Sequence, residues 1–79
     1  MFVITVFGMK QTRLWIACEM QADDTTRRLL THGYSFMVDE IEVKDLDLRD
    51  DEEKDRAGWI MHDLYAAAFP HLKKETHGH

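Results

Sequence analysis

The sequence predicts a single α+β domain with the element order ββαβα. Three observations support this: residues 2–7 are β-branched and aromatic, residues 12–20 and 34–43 alternate apolar with polar side chains, and residues 57–69 repeat apolar residues at helical spacing. In a chain of 79 residues, these segments predict a three-stranded mixed sheet of order 2-1-3, with both helices on one face.

The first two segments predict a β-hairpin. Phe2–Phe7 carries apolar residues on both faces, which is typical of a central strand covered on both sides. A turn at residues 8–11 leads into the second strand, residues 12–20, and Cys18 falls in the apolar phase of this strand. We therefore expect Cys18 to be a buried thiol. The residues expected on its face of the sheet are Leu14, Ile16, Cys18 and Met20.

The first helix is expected at residues 25–32. Asp23 or Asp24 is placed to accept hydrogen bonds from the unpaired amides of its first turn. Gly33 follows the last helical residue, where a glycine in the left-handed conformation commonly ends a helix. The residues predicted to face the core are Leu29 and Leu30.

The third strand, residues 34–43, changes phase in its middle. Val38 and Ile41 fall on opposite faces of a regular strand. A one-residue bulge at Asp39 or Glu40 reconciles the two halves. The connection from strand two through the helix to strand three predicts a right-handed crossover over strand one. This crossover makes strand one central and gives the strand order 2-1-3.

The second helix is expected to begin near Asp47, Asp50 or Asp51, any of which is a suitable N-cap. It is expected to end before Pro70, because the residue preceding a proline avoids helical geometry. The apolar residues of one helical stripe are Ala57, Ile60, Met61, Leu64 and Ala68.

Length, charge and cysteine content exclude several classes of protein. We expect one domain, residues 1–74, followed by a disordered tail, residues 75–79. The single cysteine precludes an internal disulfide and favours the cytoplasm. No apolar stretch approaches the ~20 residues of a membrane helix, and the run at residues 2–7 is too short for a signal peptide. The pI of 5.4 argues against direct nucleic-acid binding, which relies on clustered Lys and Arg.

The acidic segment, residues 39–55, is the most pronounced feature of the charge pattern. From Asp39 to Arg56 there are ten acidic and four basic residues, a net charge of −6, whereas the whole chain carries −5. One interpretation is that the segment docks on a basic protein surface, or imitates a nucleic-acid backbone. The other is that half of it caps a helix and the rest is solvated. The residues predicted to bind a partner are Asp45, Asp47, Asp50, Asp51, Glu52, Glu53, Asp55 and Trp59.

The two tryptophans are ambiguous from sequence. Trp59 lies off the apolar stripe of the second helix, so it is either a residue at the border of the core or an exposed anchor for a partner. Trp15 shares its face of strand two with Arg13 and Glu19. If that face is uncovered, Trp15 and Arg13 form the contact surface of a homo-oligomer.

These features favour a small non-catalytic protein, an inhibitor or adaptor that binds a basic, nucleic-acid-handling protein. The alternative is a homo-oligomeric structural or regulatory subunit, such as a homodimer. A third, weaker hypothesis is a metal-dependent protein or enzyme that uses Cys18, His62 or His71. The histidines lack the spacing of a zinc site. We therefore expect no metal, no cofactor and no membrane partner.

Overall fold

A computed structural model describes residues 1–42, 44 and 49–66 of the chain. It contains five elements in the predicted order ββαβα. The elements are β1 (Phe2–Phe7), β2 (Thr12–Ile16), α1 (Glu19–Thr31), β3 (Ser35–Glu40) and α2 (Asp51–Tyr65).

The three strands form one sheet of order β2-β1-β3, as predicted. The prediction of a mixed sheet is wrong, because β1 pairs antiparallel with both neighbours. β2 and β3 do run in the same direction. Among the described strands, however, each pairs only with β1, so no parallel pair forms. The right-handedness of the crossover stays a prediction.

The bulge expected at Asp39 or Glu40 is absent from the β1–β3 ladder. Asp39 lies opposite Val3 and Glu40 lies opposite Phe2, in unbroken register with the rest of β3. The strand ends at Glu40. The change of phase at Ile41 therefore falls after the strand, and no extra residue is needed within it.

Both helices pack on one face of the sheet, and the core lies between them and β1 and β2. The buried apolar side chains of this core alternate along each strand and recur at helical spacing on each helix. They are Ile4, Val6, Leu14, Ile16, Ala22, Leu29, Ala57 and Leu64.

α1 begins earlier than predicted, because β2 ends at Ile16. Cys18 is the N-cap residue, without a capping side-chain bond, and Asp23 and Asp24 lie inside the helix. The thiol of Cys18 is exposed, which corrects the expectation of a buried one. Leu30 is also exposed, contrary to prediction, because the buried stripe runs through Ala22, Thr25 and Leu29.

Two predicted boundary signals are confirmed. Gly33 adopts a φ of 82° after α1, and Tyr34 donates its backbone N–H to Leu29 O. Asp50 is the N-cap of α2, and its side chain accepts the N–H of Glu53 at 2.7 Å.

The predicted stripe of α2 is buried at Ala57 and Leu64 and half-buried at Ile60 and Met61. The remaining predictions for this end of the chain lie outside the described residues: Ala68 in the stripe, Pro70 as the end of the helix, and the tail 75–79. Neither described helix is both long and apolar enough to cross a bilayer.

A polar cluster fixes α2 against α1. The hydroxyl of Tyr65 donates to Asp24 at 2.9 Å and lies 3.0 Å from the hydroxyl of Thr25. Arg28 donates to Asp24 at 2.9 Å and to the carbonyl of Leu64 at 3.2 Å, with its guanidinium over the Tyr65 ring. These bonds hold the C-terminal half of α2 beside α1.

Candidate functional site

The acidic residues of α2 separate into an exposed group and one buried residue. Asp50, Asp51, Glu52 and Asp55 are exposed, whereas Glu53 is buried, with 8% of its surface accessible. The remaining predicted acids, Asp45 and Asp47, lie outside the described residues. The structure therefore assigns different surroundings to acids that are adjacent in sequence.

Glu53 is bonded to Arg13 of β2 through three donors. Its Oε2 accepts from the backbone N–H and from Nε of Arg13, both at 2.9 Å, and its Oε1 accepts from Nη2 at 2.8 Å. These bonds lower the pKa of Glu53 from its ordinary value of 4.5, the side-chain hydrogen bond being the largest cause. Glu53 is thus engaged within the domain and is not part of the exposed acidic surface.

Two arginines complete the contacts at the outer edge of β2. Arg49 donates from Nη1 to the carbonyl of Arg13 at 3.0 Å. Arg56 donates to the hydroxyl of Thr12 at 3.1 Å and to the carbonyl of Gln11 at 3.3 Å. Since these groups face away from β1, the side chains of α2 and its N-terminal flank occupy much of this edge.

Trp15 lies half-buried beside two guanidinium groups. The Cζ atoms of Arg49 and Arg13 are 5.2 Å and 6.0 Å from the centre of its ring. Trp15 Nε1 and Arg49 Nε are buried and find no hydrogen-bond partner among the residues that the structure describes. Both residues of the predicted oligomer face therefore have partners within the domain. Arg49 lies against the ring of Trp15, and Glu53 binds the guanidinium of Arg13.

Trp59 is 74% exposed, so it is not a core residue. Glu52, Asp55 and Asp63 are exposed on the same side of α2, at offsets of −7, −4 and +4 residues from Trp59. The ring of His62 lies 6.2 Å from the Trp59 ring, tilted by 45°. The exposed side of α2 therefore presents one large aromatic side chain between carboxylates. We call this set the Trp59 face: Glu52, Asp55, Trp59 and Asp63.

A shallow cleft of about 310 Å³ opens beside Trp59, between α2 and the turn that joins β1 to β2. Its apolar wall is formed mainly by Phe7, Met9, Tyr34, Trp59 and Ile60, with Lys10 and Arg56 also lining it. Lys10 Nζ lies 3.8 Å from Glu52 Oε2, a long and exposed ion pair. The cleft is large enough for one or two apolar side chains. Its charged lining residues are Lys10 and Arg56, and the carboxylates of the Trp59 face lie outside its lining.

Tyr34 is held at this cleft by Asp63. The tyrosine hydroxyl donates to Asp63 Oδ2 at 3.1 Å, and His32 Nδ1 lies 3.4 Å from the same oxygen. Burial raises the pKa of Tyr34, and the bond to Asp63 raises it further. The wall of the cleft is thus connected to the charged residues of the Trp59 face.

The cleft residues other than Trp59 were not predicted as functional. Phe7, Tyr34 and Ile60 are ordinary apolar positions when the sequence is taken segment by segment. One local signal was present: Met9 is an apolar residue in a hairpin turn, where polar residues are usual, and it is fully exposed. Their common location depends on how α2 packs, which no local pattern specifies.

Within residues 1–42, 44 and 49–66, no group of three or more His, Cys, Asp and Glu side chains is arranged to hold a metal ion. His71, one of the residues of the metal hypothesis, lies outside these ranges. The chain matches no protein-family model, no curated protein and no solved structure. Its function must therefore be inferred from its own surface.

Proposed function

We propose that this protein is a non-catalytic binding domain that docks on a basic surface of another protein through the Trp59 face. The observation that supports this is the exposure of Trp59 next to an apolar cleft and between carboxylates. Tryptophan is enriched among the residues that dominate binding energy, particularly where it can be desolvated against a pocket. An exposed tryptophan at a cleft is therefore a suitable anchor for a partner.

The carboxylates of the Trp59 face favour a basic partner, and the cleft beside Trp59 favours an apolar side chain in that partner. Glu52, Asp55 and Asp63 attract Lys and Arg side chains, while the cleft accepts a Leu, Met or Phe. A basic segment with apolar residues at intervals satisfies both requirements. Electrostatic attraction of this kind raises the association rate and falls with salt, since screening lengths are about 8 Å at physiological ionic strength and about 3 Å at 1 M.

The wider role within the proposal is that of an inhibitor or adaptor of a nucleic-acid-handling protein, in the cytoplasm. The exposed acids of α2 would occupy a surface that otherwise binds phosphates, without direct contact of this protein with nucleic acid or a membrane. Asp45, Asp47, Asp50 and Asp51 remain in the proposed surface, and Glu53 is withdrawn from it, because its carboxylate is bonded to Arg13. The single cysteine supports a reducing compartment.

The test uses a defined probe, a synthetic helical peptide with Leu at positions i, i+3, i+4 and i+7 and Lys on the opposite face, and the same peptide with Glu in place of Lys. Binding of the Lys peptide is measured by calorimetry to the wild type and to Trp59→Ala. Because hot-spot residues contribute about 2 kcal/mol or more, we expect Trp59→Ala to weaken binding about 30-fold. The Glu peptide should not bind.

A pair of charge variants separates a specific face from general acidity. The first neutralises Glu52, Asp55 and Asp63 to their amides. The matched control neutralises the three exposed acids at the end of β3, Asp39, Glu40 and Glu42, and so removes the same net charge. Only the first variant should lose binding. Equal losses, or no effect of Trp59→Ala, would show that the peptide senses net charge alone and would reject the proposal.

A second candidate function is favoured by one observation. The outer edge of β3 is not bonded by any residue that the structure describes, which fits a homo-oligomeric structural or regulatory subunit.

A further inference from the structure

The outer edge of β3 presents a row of backbone groups that no residue described by the structure is bonded to. Ile41 donates its N–H to the carbonyl of Met1, so odd-numbered residues of this segment turn their backbone groups toward β1. Phe36, Val38 and Glu40 therefore turn their N–H and C=O groups outward. Within the described part of the chain, no side chain or backbone group is bonded to them. β3 contains neither proline nor lysine, and its register has no bulge, so of the usual guards of an edge strand it has only the carboxylates of Asp39 and Glu40 at its C-terminal end.

Apolar side chains flank this edge. Met37 on one face of the sheet and Val38 on the other are 46% and 45% exposed. Leu30 of α1 is 68% exposed. It lies about 200° around the helix from Arg28, which contacts α2. Since α2 packs over β2 at the opposite edge, Leu30 lies on the β3 side of α1. Exposed apolar side chains therefore lie on both faces of the sheet at this edge and on the neighbouring side of α1.

We propose that the outer edge of β3 pairs antiparallel with the same edge of a second copy of this chain. In a two-fold pairing centred on Met37, Phe36 lies opposite Val38 of the other copy, and the reverse pair repeats this contact. Both residues turn their backbone groups outward, so each of these two pairs exchanges two backbone hydrogen bonds. The sheet becomes six-stranded, in the order β2-β1-β3-β3-β1-β2.

The side chains of β3 are complementary to themselves in this register. Aromatic and β-branched residues, which form favourable cross-strand pairs, meet at Phe36 and Val38. Asp39 lies opposite the hydroxyl of Ser35, and Glu40 lies opposite Tyr34, so no carboxylate faces another. The acidic C-terminal ends of the two β3 strands lie at opposite ends of the paired edge, which keeps their like charges apart. This self-complementarity selects a second copy over an unrelated strand as the occupant.

The size of the domain provides a further argument. In a chain of 79 residues, the described part contains only nine buried apolar side chains, eight of them in one cluster. Small domains commonly gain stability by association, because burial of additional apolar surface compensates for a small core. Pairing at β3 covers Met37, Val38 and Leu30, none of which lines the cleft beside Trp59.

The experiment is a charge-swap at the two-fold centre, read by sedimentation velocity over a range of concentrations. The wild type should show a reversible monomer–dimer equilibrium. Met37→Lys and Met37→Glu each place two like charges directly opposite, so each alone should dimerise on the order of tenfold more weakly. An equimolar mixture of the two should form a heterodimer, because Lys then faces Glu. Met20→Lys, at a more exposed methionine on α1, is the control for the added charge and should dimerise as the wild type does.

The outcomes are decisive for this edge. A monomeric wild type at millimolar concentration overturns the proposal. Dimers that both Met37 variants retain overturn it as well, because the contact then lies elsewhere, for example at Trp15. Loss of dimerisation in the single variants without recovery in the mixture excludes the two-fold register. Peptide binding at the Trp59 face should persist in Met37→Lys, and dimerisation should persist in Trp59→Ala, so failure of one proposal does not imply failure of the other.

Discussion

The two edges of the sheet differ in what covers them. At the β2 edge, the N–H of Arg13 donates to Glu53 and its carbonyl accepts from Arg49, so α2 and its N-terminal flank satisfy the outward backbone groups of Arg13. At the β3 edge, the outward groups of Val38 have no partner among the described residues. The difference follows from the order of elements, because α2 packs over β2, whereas the chain has no third helix among its described elements to lie beside β3.

The comparison also separates two uses of acidic residues. Glu53 is a structural carboxylate that replaces the missing neighbour strand at one edge. Glu52 and Asp55, one position before it and two after it, are exposed. Helical geometry thus divides a single acidic run into buried and exposed carboxylates, since successive residues are about 100° apart.

The largest expected effect comes from placing proline in each edge strand. Arg13→Pro removes the N–H bonded to Glu53 and leaves a buried carboxylate without its donors, so we expect a loss of about 3 kcal/mol or more of unfolding free energy. Val38→Pro removes an N–H that points outward, and edge strands tolerate proline at such positions, so the loss should stay within about 1 kcal/mol. Urea denaturation at low micromolar concentration measures both. Equal losses would contradict the assignment of β3 as the unbonded edge.

A smaller effect is expected from Glu53→Gln, which retains the size of the side chain and removes its charge. Hydrogen bonds to charged groups contribute about 1.5–3 kcal/mol, so we expect a loss near 2 kcal/mol. Glu52→Gln is the matched control. Its ion pair with Lys10 is long and exposed, and its loss should be below about 0.5 kcal/mol. If the two variants lose the same stability, Glu53 does not support the β2 edge.

The structure explains which of these features were accessible from sequence. The element order and the strand order could be predicted, because the apolar run of β1, Gly33 and Asp50 are local signals with local physical causes. The start of α1 could not be predicted. Cys18 and Met20 continue the alternation of Leu14 and Ile16, so the sequence pattern is that of one continuous strand. The end of this strand is set by the packing of α1.

The division of the acidic run was also inaccessible. Glu53 and Arg13 are 40 positions apart, and only the packing of α2 against β2 brings them together. For the same reason, the sequence left Trp59 ambiguous: its position off the apolar stripe is compatible with either a border residue or an exposed one. The cleft beside it needs the hairpin turn, Tyr34 and α2 to converge, which is a tertiary property.

The pH dependence of stability provides a weaker test of the β2 edge. The pKa of Glu53 in the folded protein is lowered, chiefly by its hydrogen bond from Arg13. Its contribution is therefore fully present above the ordinary value of 4.5 and is lost as pH falls through the folded pKa. The difference in stability between wild type and Glu53→Gln should be constant near neutral pH and shrink below about pH 4.5. A difference that grows on acidification contradicts this sign.

Asp24 also contributes to the pH dependence that this experiment measures. Its pKa is also lowered, first by Arg28 and then by Tyr65, in the cluster that joins the two helices. The Glu53→Gln protein should consequently still lose stability in acid, with a shallower slope than the wild type. If the stability of the Glu53→Gln protein did not depend on pH, the whole pH dependence of the wild type would come from Glu53 at the β2 edge.

The smallest expected effect is a gain in stability at Gly58. This glycine lies within α2 and lines a second cleft, of about 240 Å³, between α2 and the end of β2. A Cβ at this position meets no atom within 4 Å. Gly58→Ala should therefore stabilise the protein by about 0.5–1 kcal/mol, because alanine loses less backbone entropy in a helix. Gly33→Ala is the opposite case, since its φ of 82° strains any side chain and should cost about 1 kcal/mol. Thermal unfolding compares the pair, and a destabilised Gly58→Ala would mean that α2 lies closer to the β2 edge than the open cleft implies.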